Sequence, residues 1–194
     1  LMIDEFNFQE LKKDKYWWGN KVGWQLGAKY PDLFGVSNLD LQVEWNRVRP
    51  FSYSHFDSVG SYVSYNQPLA HPLGAGFQEF LGILRYQPIP KLYLTGKAML
   101  WKQGLDSLGY NFGANPNREY NDMRPRYNNF PMFAGSAATT AYTSFNASYE
   151  IFENMFIDLM GTMRIFKQAG MAERNTNTFS AGIRWNMARR EYDY

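Results

Sequence analysis

No cysteine occurs among the 194 residues, which removes disulfides, thiolate metal sites and cysteine nucleophiles together. That absence leaves the redox compartment open. Histidine is scarce too, with His55 and His71 the two in the chain. No stretch approaches the roughly 20 consecutive apolar residues that a membrane helix needs, so a helical membrane protein is excluded. Charge of one sign is missing as well: 20 Lys and Arg stand against 18 Asp and Glu, and no basic run marks a nucleic-acid stripe. Nucleic acid is not an expected partner. The opening Leu1-Met2-Ile3-Asp4-Glu5-Phe6 lacks the charged, apolar and small-residue parts of a signal peptide, as expected of a mature chain or a fragment.

What the chain has in abundance is aromatic. Tyr 14, Phe 15 and Trp 6 make up 18% of it, within 45% hydrophobic residues. This balance rules out disorder, and the length suits one domain.

The dominant pattern has period two, which puts alternate side chains on opposite faces of a strand. From Lys21 to Tyr30, Val22, Trp24, Leu26, Ala28 and Tyr30 oppose Lys21, Gly23, Gln25, Gly27 and Lys29. Leu39, Leu41, Val43 and Trp45 alternate in the same way with Asp40, Gln42, Glu44 and Asn46. Half-buried antiparallel strands are the reading. Glu79 to Gln87, Leu92 to Lys102, Thr140 to Phe152, Met155 to Lys167 and Thr176 to Met187 repeat the theme. These segments exceed the usual strand of about five or six residues and approach the roughly 9–11 that cross a bilayer at a tilt. Ile3 to Leu11 supplies an eighth strand.

Connections sort by length. Pro88-Ile89-Pro90-Lys91 and Glu153-Asn154 are tight turns and Pro31 to Ser37 is moderate, whereas Arg49 to Gln78 and Gln103 to Thr139 are long. If each strand crosses a membrane, the short turns fall on one side and the long loops on the other, as in outer-membrane barrels. Counting from the end, the last strand descends from the long-loop side and leaves Tyr194 on the short-turn side. Aromatic girdles are expected at both levels: Tyr30, Tyr86, Tyr93, Tyr149, Phe152 and Phe156 near the short turns, and Trp17, Trp18, Trp45, Trp101 and Tyr142 near the long loops. The predicted fold class is therefore all-β: an antiparallel up-and-down transmembrane β-barrel with about eight strands in this chain. Residues 1–194 form a single barrel domain or part of a larger one.

The expected lumen-facing residues are Lys21, Gln25, Lys29, Asp40, Glu44, Arg85, Lys97, Glu150, Asp158, Arg164 and Arg184. They mix both signs, and would pair across a narrow barrel or line an aqueous channel in a wide one. Asp158 is awkward, because Phe156, Met160 and Phe166 share its face, which implies an interior partly packed or covered. In the loop from Gly104 to Thr139, Tyr110, Asn111, Arg118, Tyr120, Arg124, Arg126 and Tyr127 have the composition of a sugar- or protein-binding surface, or of an ordinary ordered loop. No acidic cluster at ligand spacing accompanies His55 or His71, so neither a metal site nor a catalytic base is expected. A nucleophile elbow, a phosphate loop and a dinucleotide fingerprint are absent. No cofactor and no catalytic residue is assigned.

The run Tyr65-Asn66-Gln67-Pro68-Leu69-Ala70-His71-Pro72-Leu73-Gly74-Ala75, followed by Arg85-Tyr86-Gln87-Pro88-Ile89-Pro90-Lys91-Leu92, resembles the C-terminal region of Bacteroidetes outer-membrane proteins of the RemB gliding-motility group. These are in turn similar to the capsule-assembly Wzi family. Asp4-Glu5-Phe6, Trp17-Trp18-Gly19-Asn20-Lys21, Gly182-Ile183-Arg184-Trp185-Asn186 and Tyr192-Asp193-Tyr194 look like the same group. The resemblance implies the C-terminal portion of a longer barrel in the outer membrane of a Gram-negative bacterium. It also implies a noncatalytic role in gliding or in organising surface polysaccharide. The expected partners are outer-membrane lipid, surface polysaccharide and other outer-membrane, motility or secretion proteins. The other expectation is a porin-like channel for small solutes.

Overall fold

Alternating side chains and tight turns fold most of the chain into one antiparallel sheet. The computed structural model describes residues 1–186. In chain order they form β1 (Met2–Ile3), α1 (Phe8–Lys13), β2 (Val22–Tyr30), β3 (Leu39–Val48), β4 (Val63–Ser64), β5 (Gln67–Pro68), β6 (Phe77–Ile89), β7 (Leu92–Leu105), β8 (Ser136–Phe152), β9 (Met155–Gln168) and β10 (Arg174–Trp185). Eight strands make the main sheet in the order β1-β2-β3-β6-β7-β8-β9-β10, and β4 with β5 makes a separate ladder. Each strand of the main sheet lies beside its predecessor in that sheet, so it is an up-and-down meander. It is not closed: among the described residues, β10 pairs with β9 alone, and the far edge of β2 carries only the two residues of β1.

Register divides the sheet into two unlike faces, because paired residues point the same way and neighbours along a strand point oppositely. One face carries rows such as Asn46, Glu79, Trp101, Thr140, Phe166 and Arg174, and Gln42, Ile83, Lys97, Ser144, Thr162 and Thr178. The opposite face is apolar over a broad band. Its rows include Leu26, Trp45, Phe80, Leu100, Ala141 and Ile165, then Tyr30, Leu41, Leu84, Gly96, Phe145, Gly161 and Phe179, then Tyr86, Leu94, Ala147, Leu159 and Ala181. Nothing in the described structure covers this band: Phe179 is 86% exposed, Ile183 70% and Leu26 61%. The buried core sits elsewhere, at the long-loop end of the polar face. There Val48, Tyr53, Ala75 and Phe77 pack together with Met2 and Leu73.

Several expectations are corrected. Ile3 to Leu11 is not a strand: pairing stops at Ile3, and Phe8–Lys13 is a helix. The Asn7 side chain caps the helix by accepting from the Gln9 and Glu10 amides, with Glu10 in the first turn and Lys12 and Lys13 in the last. These are favourable placements for the helix dipole. The Pro88 turn is tighter than its sequence suggests, since the ladder runs on to the Ile89–Leu92 pair across a bulge. Strands β6, β7 and β8 extend beyond the alternating segments into what read as loop. Met187, Tyr192, Asp193 and Tyr194 lie outside the described residues.

The expected aromatic girdles are rearranged. Tyr30, Tyr86, Tyr149 and Phe152 lie on the apolar face with Trp185, but Tyr93 and Phe156 lie on the polar one. On the long-loop side Trp45 is on the apolar face, packed edge-on to Trp24 at 5.6 Å and stacked on Phe80 at 6.0 Å. Trp101 and Tyr142 share the polar face. Trp17 and Trp18 lie in the loop structure described next.

Candidate functional site: the loop cap and the charged face

The two long loops fold onto each other and onto the segment before β2. Trp17 bridges to Asn129, and the Trp18 amide donates to the Asn128 carbonyl at 3.0 Å. The Phe130 amide donates to Tyr16 at 2.9 Å, the Phe51 amide to Gly113 at 2.9 Å and the Ala75 amide to Ala114 at 2.9 Å. These bonds satisfy backbone groups that burial would otherwise leave unpaired. Inside this cap Phe51 and Phe130 are fully buried with rings 5.1 Å apart, and Tyr127 stacks on Phe130 at 4.9 Å. Gly113 has φ of 81°, and a Cβ there would lie 2.5 Å from the Phe51 nitrogen. Glycine is therefore required where the loops touch.

The cap sorts the loop residues singled out in the sequence. Asn111 is wholly buried: its amide nitrogen donates to the Glu119 carbonyl at 2.9 Å and its oxygen accepts from Gly113 at 2.8 Å. It holds the loop and presents nothing to solvent. Arg118 is clamped between Asp106 and Asp122, each at 2.8 Å. Burial works against its charge, but the hydrogen bonds it donates to Asp122 and Asp106 outweigh it and raise its pKa. Arg124 lies 4.0 Å over the Trp18 ring, and desolvation there lowers its pKa. Tyr120 packs on Trp18 at 4.9 Å and faces the Lys21 ammonium. Tyr110, Arg126 and Tyr127 remain on the surface. The surface available to a ligand is thus smaller than the sequence suggests.

One cluster was not found from sequence. Lys21, placed among the lumen-facing residues, is buried in the cap just before β2, where its Nζ donates to the Ser54 carbonyl at 2.9 Å. Glu5 lies 3.3 Å and Asp4 3.7 Å from that ammonium. His55 joins them, its Nε2 3.1 Å from Asp4 and its Nδ1 4.0 Å from Glu5. Both ring nitrogens of His55 thus face carboxylates. A recess of about 650 Å³ beside it is walled by Asp4, Ser52, Tyr53, His55 and Tyr62, within the size range of ligand sites. No local spacing could have revealed the cluster, because its members come from residues 4, 5, 21 and 55. His71 is separate: its Nε2 is 3.1 Å from Glu79, which also accepts from Asn46 at 2.9 Å. Among the described residues no group of three or more His, Asp or Glu is arranged to hold a metal ion.

The other residues expected to face a lumen are placed on one face by the register. Gln25, Lys29, Asp40, Glu44, Arg85, Lys97, Glu150, Asp158, Arg164 and Arg184 all belong to the polar side of the sheet. Glu44 accepts from Gln25 at 2.8 Å and from Gln42 at 2.5 Å, and Arg85 donates to Gln42 at 3.3 Å. Asp158 is bound by Arg184 at 2.9 Å and by the Ser148 hydroxyl. The arginine in turn lies 4.2 Å over Phe156, and Arg164 lies 5.3 Å over Phe166. Two of the three large apolar side chains beside Asp158, Phe156 and Phe166, are thus the faces on which arginines stack. Compared with protein-family models, curated proteins and solved structures, the chain matches none of them.

Proposed function

We propose that this chain is the wall of a noncatalytic outer-membrane β-barrel of a Gram-negative bacterium, complete or as the C-terminal portion of a larger one. Its long loops bind surface polysaccharide of the capsule type or a partner of the gliding or secretion machinery. The observation that carries the reading is the uncovered apolar face. Exposed apolar patches larger than a few hundred Å² mark membrane or protein contacts. Here the band crosses the meander without a charged residue from the Leu26 row to the Tyr149 row. From Met155 to Ile165 the band rises about 34 Å along the strand at about 3.4 Å per residue. At a tilt of about 40° that is about 26 Å along the membrane normal, close to the roughly 25 Å apolar belt of outer-membrane barrels. Aromatic residues at its two ends, Trp24 and Trp45 against Tyr30, Tyr86, Tyr149 and Trp185, suit the two interfaces. Closure, by these strands or by further ones, removes the open edges that lipid does not tolerate.

The loop reading rests on the rigid cap, which presents Tyr110, Arg126 and Tyr127 on a packed frame together with the recess beside His55. A porin-like channel is the second reading. It is favoured by Lys29, Lys97 and Arg164 on the polar face, which make no ion pair among the described residues.

The test is migration of the native protein from outer-membrane fractions on a detergent gel, with and without boiling. A heat-dependent shift is expected, and its boiled band, at or above 22.6 kDa, tells a small barrel from part of a longer one. A soluble protein with no shift would sink the reading. Steady conductance in a planar bilayer would favour the porin over the anchor.

A further inference from the structure

The apolar band ends, on the long-loop side, in one register row. Arg47 pairs with Gln78, Gln78 with Lys102, Lys102 with Thr139 and Thr139 with Lys167. The row therefore carries a cation on β3, β7 and β9, each separated by one strand with a neutral polar residue. Strands lie about 4.8 Å apart, so successive cations are about 10 Å apart, beyond strong mutual repulsion at physiological salt. All three are on the apolar face, in one register row at its long-loop margin. Lys102 and Lys167 are exposed. Aromatic rings hold two of them at the edge of the band, with Arg47 5.2 Å from the Trp24 ring and Lys102 4.8 Å from Phe133. Lys167 is paired with Glu173 at 2.7 Å. Among the described residues the opposite end of the band has no matching row, since its hairpin turns carry Asp32, Lys91 and Glu153.

We infer that this row binds the phosphate groups of anionic lipid headgroups in the leaflet on the long-loop side. The inference rests on the membrane reading above and adds to it the headgroup chemistry and the side. A row of cations along the margin where an apolar wall ends lies within reach of lipid phosphates. Arginine and lysine are the donors suited to such oxyanions, while Gln78 and Thr139 supply uncharged hydrogen-bonding groups between them.

The test uses the full-length protein in detergent micelles, titrated with phosphatidic acid and separately with phosphatidylcholine, with bound lipid read by native mass spectrometry. Phosphatidic acid is expected to be retained in preference. Lys102→Gln and Lys167→Gln should each weaken that retention about fivefold, the effect of one cation at an anionic surface. Glu173→Gln frees Lys167 and should strengthen retention, an effect that misfolding cannot imitate. Displacement of the lipid by inorganic phosphate alone would show a free-anion site and overturn the lipid assignment. Equal retention of the two lipids, or variants indistinguishable from the parent, would overturn the inference. If that happens while the heat-dependent gel shift persists, the headgroup site fails and the barrel stands. If the shift is absent and the protein is soluble, both fail.

Discussion

Two regions of this chain use the same residue types in opposite ways. In the cap, Phe51 and Phe130 are fully buried, whereas on the sheet Phe179 is 86% exposed and Phe152 70%. Burying such a side chain is worth about 1.5–3 kcal/mol, so the cap supplies its own stability from within the chain. The band leaves the same quantity unclaimed until an apolar phase or a partner covers it. The contrast teaches that hydrophobicity by itself says little here, and that register decides which residues meet each other and which meet the surroundings.

The sharpest way to break the comparison is to empty the cap. Phe130→Ala should cost about 3–5 kcal/mol, the usual range for a buried Phe truncation. Hydrogen exchange should localise the loss to the cap amides of Phe51, Ala75 and Phe130, and the β7–β8 and β8–β9 ladders should keep their protection. Exchange rising equally in both would show that cap and sheet are one cooperative unit. Leu84→Arg attacks the other region. Reconstituted in lipid, it should cost about 2–4 kcal/mol, as a charge near the bilayer midplane does. A surface substitution facing water stays within about 0.5 kcal/mol, so denaturant titration in vesicles separates the two surroundings.

The strands were legible because alternation is a local property. Val22 to Tyr30 and Leu39 to Asn46 each declare two faces without help from the rest of the chain, and the register joins those faces across the sheet. The cap was not legible. Lys21 reads as one more residue of an alternating segment, and its role appears when the loop carrying Ser54 and His55 folds back over it. Asn111 and Arg118 have binding-surface composition, yet the loop spends them on its own carbonyl and carboxylates. The helix at Phe8–Lys13 had a signal in Asn7, Glu10 and Lys13, which a search for period two passes over. The Asp158 problem likewise needed the register that brings Arg184 within reach.

Smaller effects refine the picture. Asp106→Asn with Asp122→Asn would leave Arg118 without its charged partners, and should cost about 1 kcal/mol or less because the pairs are near the surface. Protease sensitivity within Gly109 to Glu119 should rise while the sheet is unaffected. The smallest effect concerns Glu173, whose carboxyl is held below the ordinary range by hydrogen bonds from Lys167 and Asn175. A depressed folded-state pKa contributes stability that is present above the unfolded value and lost as pH falls through the folded one. Glu173→Gln should therefore flatten the acid limb of a stability-against-pH curve without moving the neutral plateau much, as thermal melts across pH would show. An unchanged acid limb would mean that the pair does not persist in solution.

The meander also sets an order of events. Most strands of the sheet are joined to their partners by short turns, so β6 through β7, and β8 through β10, can zip hairpin by hairpin at little loop-closure entropy. The cap has no such local route: the Asn129 amide reaches the Asp14 carboxylate across a separation of 115 residues. By its contact order it is expected to close after the hairpins, once β7 has brought the second long loop back over the beginning of the chain. The cap is thus a late lock, and a chain interrupted before Phe130 would hold the first hairpins without it.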